Sequence, residues 1–148
     1  MKIAIYTAIY DDYEILRDSI VVDGVDYICF TDDLTLKSNI WDIKYLRNTH
    51  NSGLGSMFVK YIKLNSQRYL SEYDYVIWVD ANIMIKSKNL LKYLASKLYS
   101  TNIVLYKHND PNPNLRRNCA YEEAEFSKMF LNKYSNEKLN HQIKKYKL

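Results

Sequence analysis

The stretch "YDYVIWVDANIMIKS", residues 73–87, decides how this chain is read. Tyr75 to Val79 is an unbroken aromatic and β-branched run, apolar on both alternating faces. That is the pattern of an inner strand in a parallel sheet, where helices on both sides leave neither face to water. The run stops at Asp80, Ala81 and Asn82. An ionised carboxylate is costly to bury, so Asp80 is expected to face a cleft or a cation. At the carboxyl end of a parallel strand it would stand where open α/β sheets bind ligands. If the chain stays extended, residues two apart point the same way, and Asp80 and Asn82 aim their oxygens at one spot. Such a pair can share a hard divalent ion, Mn²⁺ or Mg²⁺, which takes oxygen ligands and completes its shell with water and substrate phosphates. An Asx-type turn after the strand is the competing reading.

Working outward, Ile3 to Ile9, Tyr27 to Phe30 and Ile103 to Tyr106 repeat the strand pattern, and "DIKYL" from Asp42 is a further β-rich run. Helical periodicity marks Ser56 to Leu70, Lys88 to Leu98, Asn118 to Lys133 and Asn136 to Lys147, with Ser87 and Asn118 as N-cap candidates. Strands alternating with helices predict an α/β fold with a mostly parallel sheet flanked by helices. No repeat or long linker interrupts the pattern, so residues 1–148 are expected to form a single domain. The segment "HNDPNPNLRRN", from His108, is a loop by its prolines and its Asn and Asp residues.

Composition narrows the function classes. A net charge of +4, from 21 basic and 17 acidic residues, is far from the concentrated basic surface of a nucleic-acid binder, so no nucleic-acid partner is expected. Cys29 and Cys119 lack metal-ligand spacing and read as reduced thiols, which suits a cytoplasmic setting. The N-terminal "MKIAIYTAIYDDY" lacks the features of a signal peptide, and no apolar run reaches the roughly twenty residues of a membrane span.

Several blocks taken together resemble one family. They are "IYTAIYDDYE" (5–14), "DYICFTDD" (26–33) with Trp41, "YIKLNSQRYLSEYDYVIWVDANI" (61–83), "YKH" (106–108) and "RNCAYEEAE" (117–125). They are similar to the glycosyltransferase-like domain of plant mucilage-related and turgor-related proteins and of bacterial polysaccharide loci, in which "VDAN" corresponds to an Asp-x-Asp element. Ser66 and Gln67 stand where that family usually carries Pro-His. The resemblance implies a Rossmann-like GT-A fold and a metal-dependent transferase that passes a sugar from a nucleotide diphosphate sugar, of the uridine type, to a glycan acceptor. It implies that Thr7, Ala8 and Tyr10 line the base pocket, that Asp32 accepts hydrogen bonds from base or ribose, and that Lys63 and Arg117 meet the diphosphate. His108 is a further ligand contact, and Glu122 and Glu123 are the acids expected nearest the acceptor, with Asp80 at the reaction centre.

Plainer accounts stand beside each of these. Thr7 to Tyr10 is also a strand end, Asp32 a polar turn, Lys63 part of a solvated helix face, His108 a structural strand-end residue, and Glu122 and Glu123 acids that compensate a helix dipole. Because the family continues beyond the "QIKKYK" helix, the chain is expected to be C-terminally short, with donor binding outlasting transfer unless a homo-oligomer supplies the missing wall. A non-catalytic nucleotide-sugar binding domain is the alternative.

Overall fold

The fold was analysed in a computed structural model that describes residues 1–49, 54–98, 101–105, 119–130 and 136–146. It divides into two compact units, Met1–Ser96 and Lys97–Leu148.

The first unit holds an all-parallel four-stranded sheet of β1 (Ile3–Ile9), β2 (Val25–Thr31), β3 (Asp42–Tyr45) and β4 (Tyr75–Trp78), in the order β3-β2-β1-β4. Every residue of β1 is buried, which is why its sequence is apolar on both faces: it is paired on both sides and covered above and below. β4 differs from expectation. It is an edge strand of this sheet, exposed at Tyr75 and half-buried along the rest, and its pairing runs one residue further through the bond from Val79 N to Tyr6 O (3.1 Å).

Side-chain alternation sorts the core into two layers. Ala4, Tyr6, Ala8 and Tyr10 join Ile28 and Phe30 beneath α1 (Gly55–Leu64), which contributes Phe58 and Ile62. Ile5, Ile9, Tyr27 and Cys29 face the other way, onto Trp41, Ala81 and Ile85. No helix lies between β1 and β2, and the chain that joins them over this layer is irregular. Its backbone is satisfied by bonds to the segment after β4, Arg17 N to Ala81 O (2.9 Å) and Ile20 N to Ile85 O (3.1 Å), and by the Trp41 indole donating to Arg17 O (3.1 Å). Asp11 and Asp12, both at left-handed φ (56° and 50°), turn the chain out of β1 and prevent a helix from starting there.

α1 is followed by a 3-10 turn (Ser66–Arg68), so the helix predicted to reach Leu70 stops earlier. α2 (Leu90–Leu98) begins after a turn in which the Ser87 hydroxyl accepts from Asn89 N (3.2 Å).

In the second unit, α3 (Ala120–Phe130) packs against α4 (Asn136–Tyr146), inside the predicted helical segments. The strand predicted at Ile103 to Tyr106 is corrected: residues 103–105 carry no strand, and Tyr106 lies outside the described residues. The Thr101 hydroxyl instead accepts from Ile103 N (3.3 Å) and donates to Ile103 O (3.0 Å), engaging locally the groups a ladder would use. No helix among the described residues is long and apolar enough to cross a membrane.

The two cysteines differ in environment. Cys29 is buried, and burial pushes its thiol up to about 12, whereas Cys119 is exposed. A disulfide-exchange reagent at pH 8 is therefore expected to titrate a single thiol in the native protein, with the second appearing on denaturation. Rapid reaction of both in the folded state would contradict the buried placement of Cys29. The contribution to stability from keeping Cys29 neutral is complete below its ordinary value of 9.0 and is lost as pH rises toward about 12.

Candidate functional site

The strand order places a topological switch beside β1, because the chain runs β1-β2-β3 in one direction and then returns to put β4 on the opposite flank. In open parallel sheets the crevice at the carboxyl ends of such strands is where ligands bind. The loops leaving that edge carry Asp11 and Asp12 after β1, Asp32 and Asp33 after β2, and Asp80 after β4.

Asp80 is held by two groups that come from different parts of the chain. The Trp78 indole N–H donates to Asp80 Oδ1 at 2.7 Å, and Lys63 Nζ from the last turn of α1 lies 3.4 Å from the same oxygen. Lys63 also stands over the Trp78 ring, 5.1 Å from its centroid. The tryptophan is braced in turn: the Tyr6 ring meets it edge-on at 5.1 Å, and the Tyr6 hydroxyl donates to Lys63 O at 2.9 Å. Lys63 and Asp80 were singled out separately in the sequence, and the fold brings them into one ion pair, with 44% and 49% of their side chains still exposed.

Asn82 does not share this spot through strand alternation. Ile83 N donates to Asp80 O at 2.9 Å, so the chain turns immediately after Asp80 and the extended geometry is lost. Ala81 is buried in the turn, and the Asn82 amide donates to Glu14 Oε1 at 3.4 Å, in the segment between β1 and β2. Among the described residues no group of three His, Cys, Asp or Glu side chains is arranged to hold a metal. The donors present fit a divalent ion as a shared one. Among the described residues both partners of Asp80 fall on Oδ1, which leaves its second oxygen as the candidate ligand, and most of the shell would be phosphate oxygen and water.

The residues expected to line a base pocket lie deeper than that. Thr7 and Ala8 are enclosed within β1, and the Thr7 hydroxyl has no hydrogen-bond partner among the described residues. The Tyr10 ring is fully buried against Phe58, edge-on at 4.9 Å, with its hydroxyl donating to Leu46 O at 2.7 Å. Burial first, and the nearby Asp32 charge second, push the Tyr10 phenol well above the ordinary range. These side chains are committed to the core, so the aromatic face expected of Tyr10 is used up, and a base at this strand end would meet backbone groups. Asp32 is half-buried at the β2 end. Its neighbour Asp33 is the turn residue, accepting from Thr35 N and Thr35 Oγ1 (2.7 Å each), bonds that lower its carboxyl below the ordinary value. Glu122 and Glu123 occupy the exposed first turn of α3 in the second unit, and His108 and Arg117 lie outside the described residues.

Compared with family models, curated proteins and solved structures, the chain gives no match.

Two features escaped the sequence reading. One is a cleft of about 530 Å³ over the carboxyl ends of β1 and β2, lined by Ile9 and Thr31 and edged by Asp12, Glu14, Asp18 and Asp33, with Lys37 as its basic group. Its carboxylates disfavour phosphate but suit hydroxyl donors. Glu14 ties this cleft to the turn after β4 through Asn82. The other is Asp11, whose Oδ2 accepts from Gly55 N at 2.6 Å and so caps α1 from 44 residues away, in place of Leu54, whose side chain caps nothing. Carboxylate charge at a helix N-terminus is favourable, and it takes up the position a phosphate would otherwise use. Only the i, i+2 relation of Trp78 and Asp80, which puts both on one side of an extended strand, was a readable signal.

Proposed function

We propose that this chain is a metal-dependent glycosyltransferase domain of the Rossmann-like GT-A type, binding a nucleotide diphosphate sugar at the carboxyl edge of β1 and β4 and passing the sugar to a glycan acceptor. The observation that carries this reading is the meeting of Lys63 and Asp80 at 3.4 Å beside the switch in strand order. In this reading Lys63 supplies a mobile point charge for diphosphate oxygens. Trp78 orients the Asp80 carboxylate, which would hold Mn²⁺ or Mg²⁺ together with diphosphate oxygens and water; Asn82, turned toward Glu14, is left out of the metal set. The ion, when bound, stabilises negative charge on the departing diphosphate. Glu14 and Asp33 in the neighbouring cleft accept hydroxyl hydrogen bonds from the sugar or ribose, with Asp32 beside them. The family resemblance alone carries the assignment of Arg117 and His108 to the donor and of Glu122 and Glu123 to the acceptor. Tyr10 is left out of the contact set because its ring is consumed by packing.

Mn²⁺ with uridine diphosphate is expected to raise the melting temperature by more than the sum of the two alone, because each completes the other's coordination. A ligand at a hundred times its dissociation constant adds about 2.7 kcal/mol. Asp80→Ala should keep the fold and remove the synergy; a mutant that responds as the parent does would remove Asp80 from the site. Release of the diphosphate from a sugar nucleotide in the presence of an acceptor then separates a transferase from a binding domain.

A further inference from the structure

We propose that Lys63 is a built-in counter-ion that gates divalent-cation binding at Asp80, and that a diphosphate group opens the gate by taking over the lysine ammonium. The counter-ion part stands on the geometry alone; the identity of the opener rests on the nucleotide-sugar reading above.

The ammonium lies 3.4 Å from Asp80 Oδ1, while the indole N–H of Trp78 donates to that same oxygen at 2.7 Å. A divalent ion arriving at Asp80 meets a carboxylate already neutralised by Lys63, and like charges at one carboxylate repel. Trp78 holds the ammonium in this position through its ring face, and the Tyr6 hydroxyl fixes the backbone of Lys63 at the helix end. Only the flexible four-carbon stem can move, so the ammonium leaves Asp80 without disturbing α1. Diphosphate oxygens offer it a stronger partner than a single half-exposed carboxylate does. Cation and diphosphate therefore favour each other's binding even before they touch, and the coupling is reciprocal. Because exposed ion pairs are worth at most about 1 kcal/mol, the gate is modest, roughly a fivefold effect.

The test uses the full chain and measures Mn²⁺ affinity by the loss of the free-ion paramagnetic resonance signal, first alone and then with inorganic pyrophosphate or uridine diphosphate. Lys63→Met keeps the apolar stem and removes the charge. It should bind Mn²⁺ alone about two- to fivefold more tightly than the parent and lose most of the enhancement that pyrophosphate gives. A merely structural lysine predicts weaker binding of both. Lys63→Arg, which keeps the charge, should restore parental Mn²⁺ affinity, and Asp80→Asn should lose Mn²⁺ binding. Tryptophan emission supplies a second readout. The chain has two tryptophans, and Trp41 is buried in the opposite core layer, so an emission change on adding pyrophosphate that is absent in Trp78→Phe reports the ammonium leaving the Trp78 ring. Unchanged or weaker Mn²⁺ binding in Lys63→Met, Mn²⁺ binding untouched by Asp80→Asn, or no coupling to pyrophosphate would each overturn the gate. Coupling to pyrophosphate with no preference for uridine diphosphate leaves the gate standing and removes the nucleotide-sugar reading instead.

Discussion

Gly55→Ala is expected to destabilise the first unit by about 3 kcal/mol, although helix propensity alone predicts a gain of about 1 kcal/mol for alanine over glycine. A Cβ at position 55 would lie 2.5 Å from Asp11 Oδ2, 2.6 Å from Tyr10 Cβ and 2.7 Å from Asp11 Cγ. Tyr10 cannot give way, because its ring is clamped against Phe58 and its hydroxyl is bonded to Leu46 O. Asp11 can move only by abandoning the bond that caps α1. Overpacking of about 1–3 kcal/mol adds to about 1.5–3 kcal/mol for a hydrogen bond to a charged group, and together they outweigh the propensity gain. Urea unfolding with an unchanged slope measures the difference. An alanine variant as stable as the parent would mean that Asp11 does not approach the helix as described.

Phe58→Ala should cost about 3–5 kcal/mol, the usual range for deleting a buried aromatic ring. Phe58 is 2% exposed, edge-on to Tyr10 and stacked on Tyr61 at 6.1 Å, and it seats α1 on β1. The same helix delivers Lys63 to Asp80, so the variant should also lose the synergy between Mn²⁺ and uridine diphosphate well below its own melting temperature. Phe58→Leu, which conserves most of the volume, is expected to cost less than about 1.5 kcal/mol and keep the synergy. A loss under about 1 kcal/mol for the alanine variant would show that α1 is not anchored through this ring.

The physical origin of these two effects separates what could be read from the chain alone from what could not. The burial of β1 was legible because a strand covered on both faces must be apolar at every position, and Ile3 to Ile9 is so apart from Thr7. The place of Asp80 was legible for the complementary reason, since a carboxylate ending an apolar run has to leave the core. The helices α2, α3 and α4 were legible within a few residues, from periodicity that each short segment carries by itself, and α1 was legible at its start but not at its end, which falls at Leu64 rather than Leu70.

Other features depended on contacts between distant segments, which no local pattern encodes. The sequence of β4 reads as that of an inner strand, yet its neighbours make it an edge, because pairing is decided by which strands return to which side of β1. The irregular cover over the second core layer exists because Asp11 and Asp12 turn left-handed and the following residues then bond to the chain after β4. The turn at Asp80 separates Asn82 from the position that strand alternation assigned to it. The capping of α1 by Asp11 and the pairing of Lys63 with Asp80 join residues 44 and 17 positions apart. Sequence by itself therefore determined the burial of β1 and the exit of Asp80 from the core, since burial acts on each side chain through its own chemistry. Tertiary structure alone decided which charges meet, since an ion pair or a distant cap exists only after chain closure has placed its two halves together.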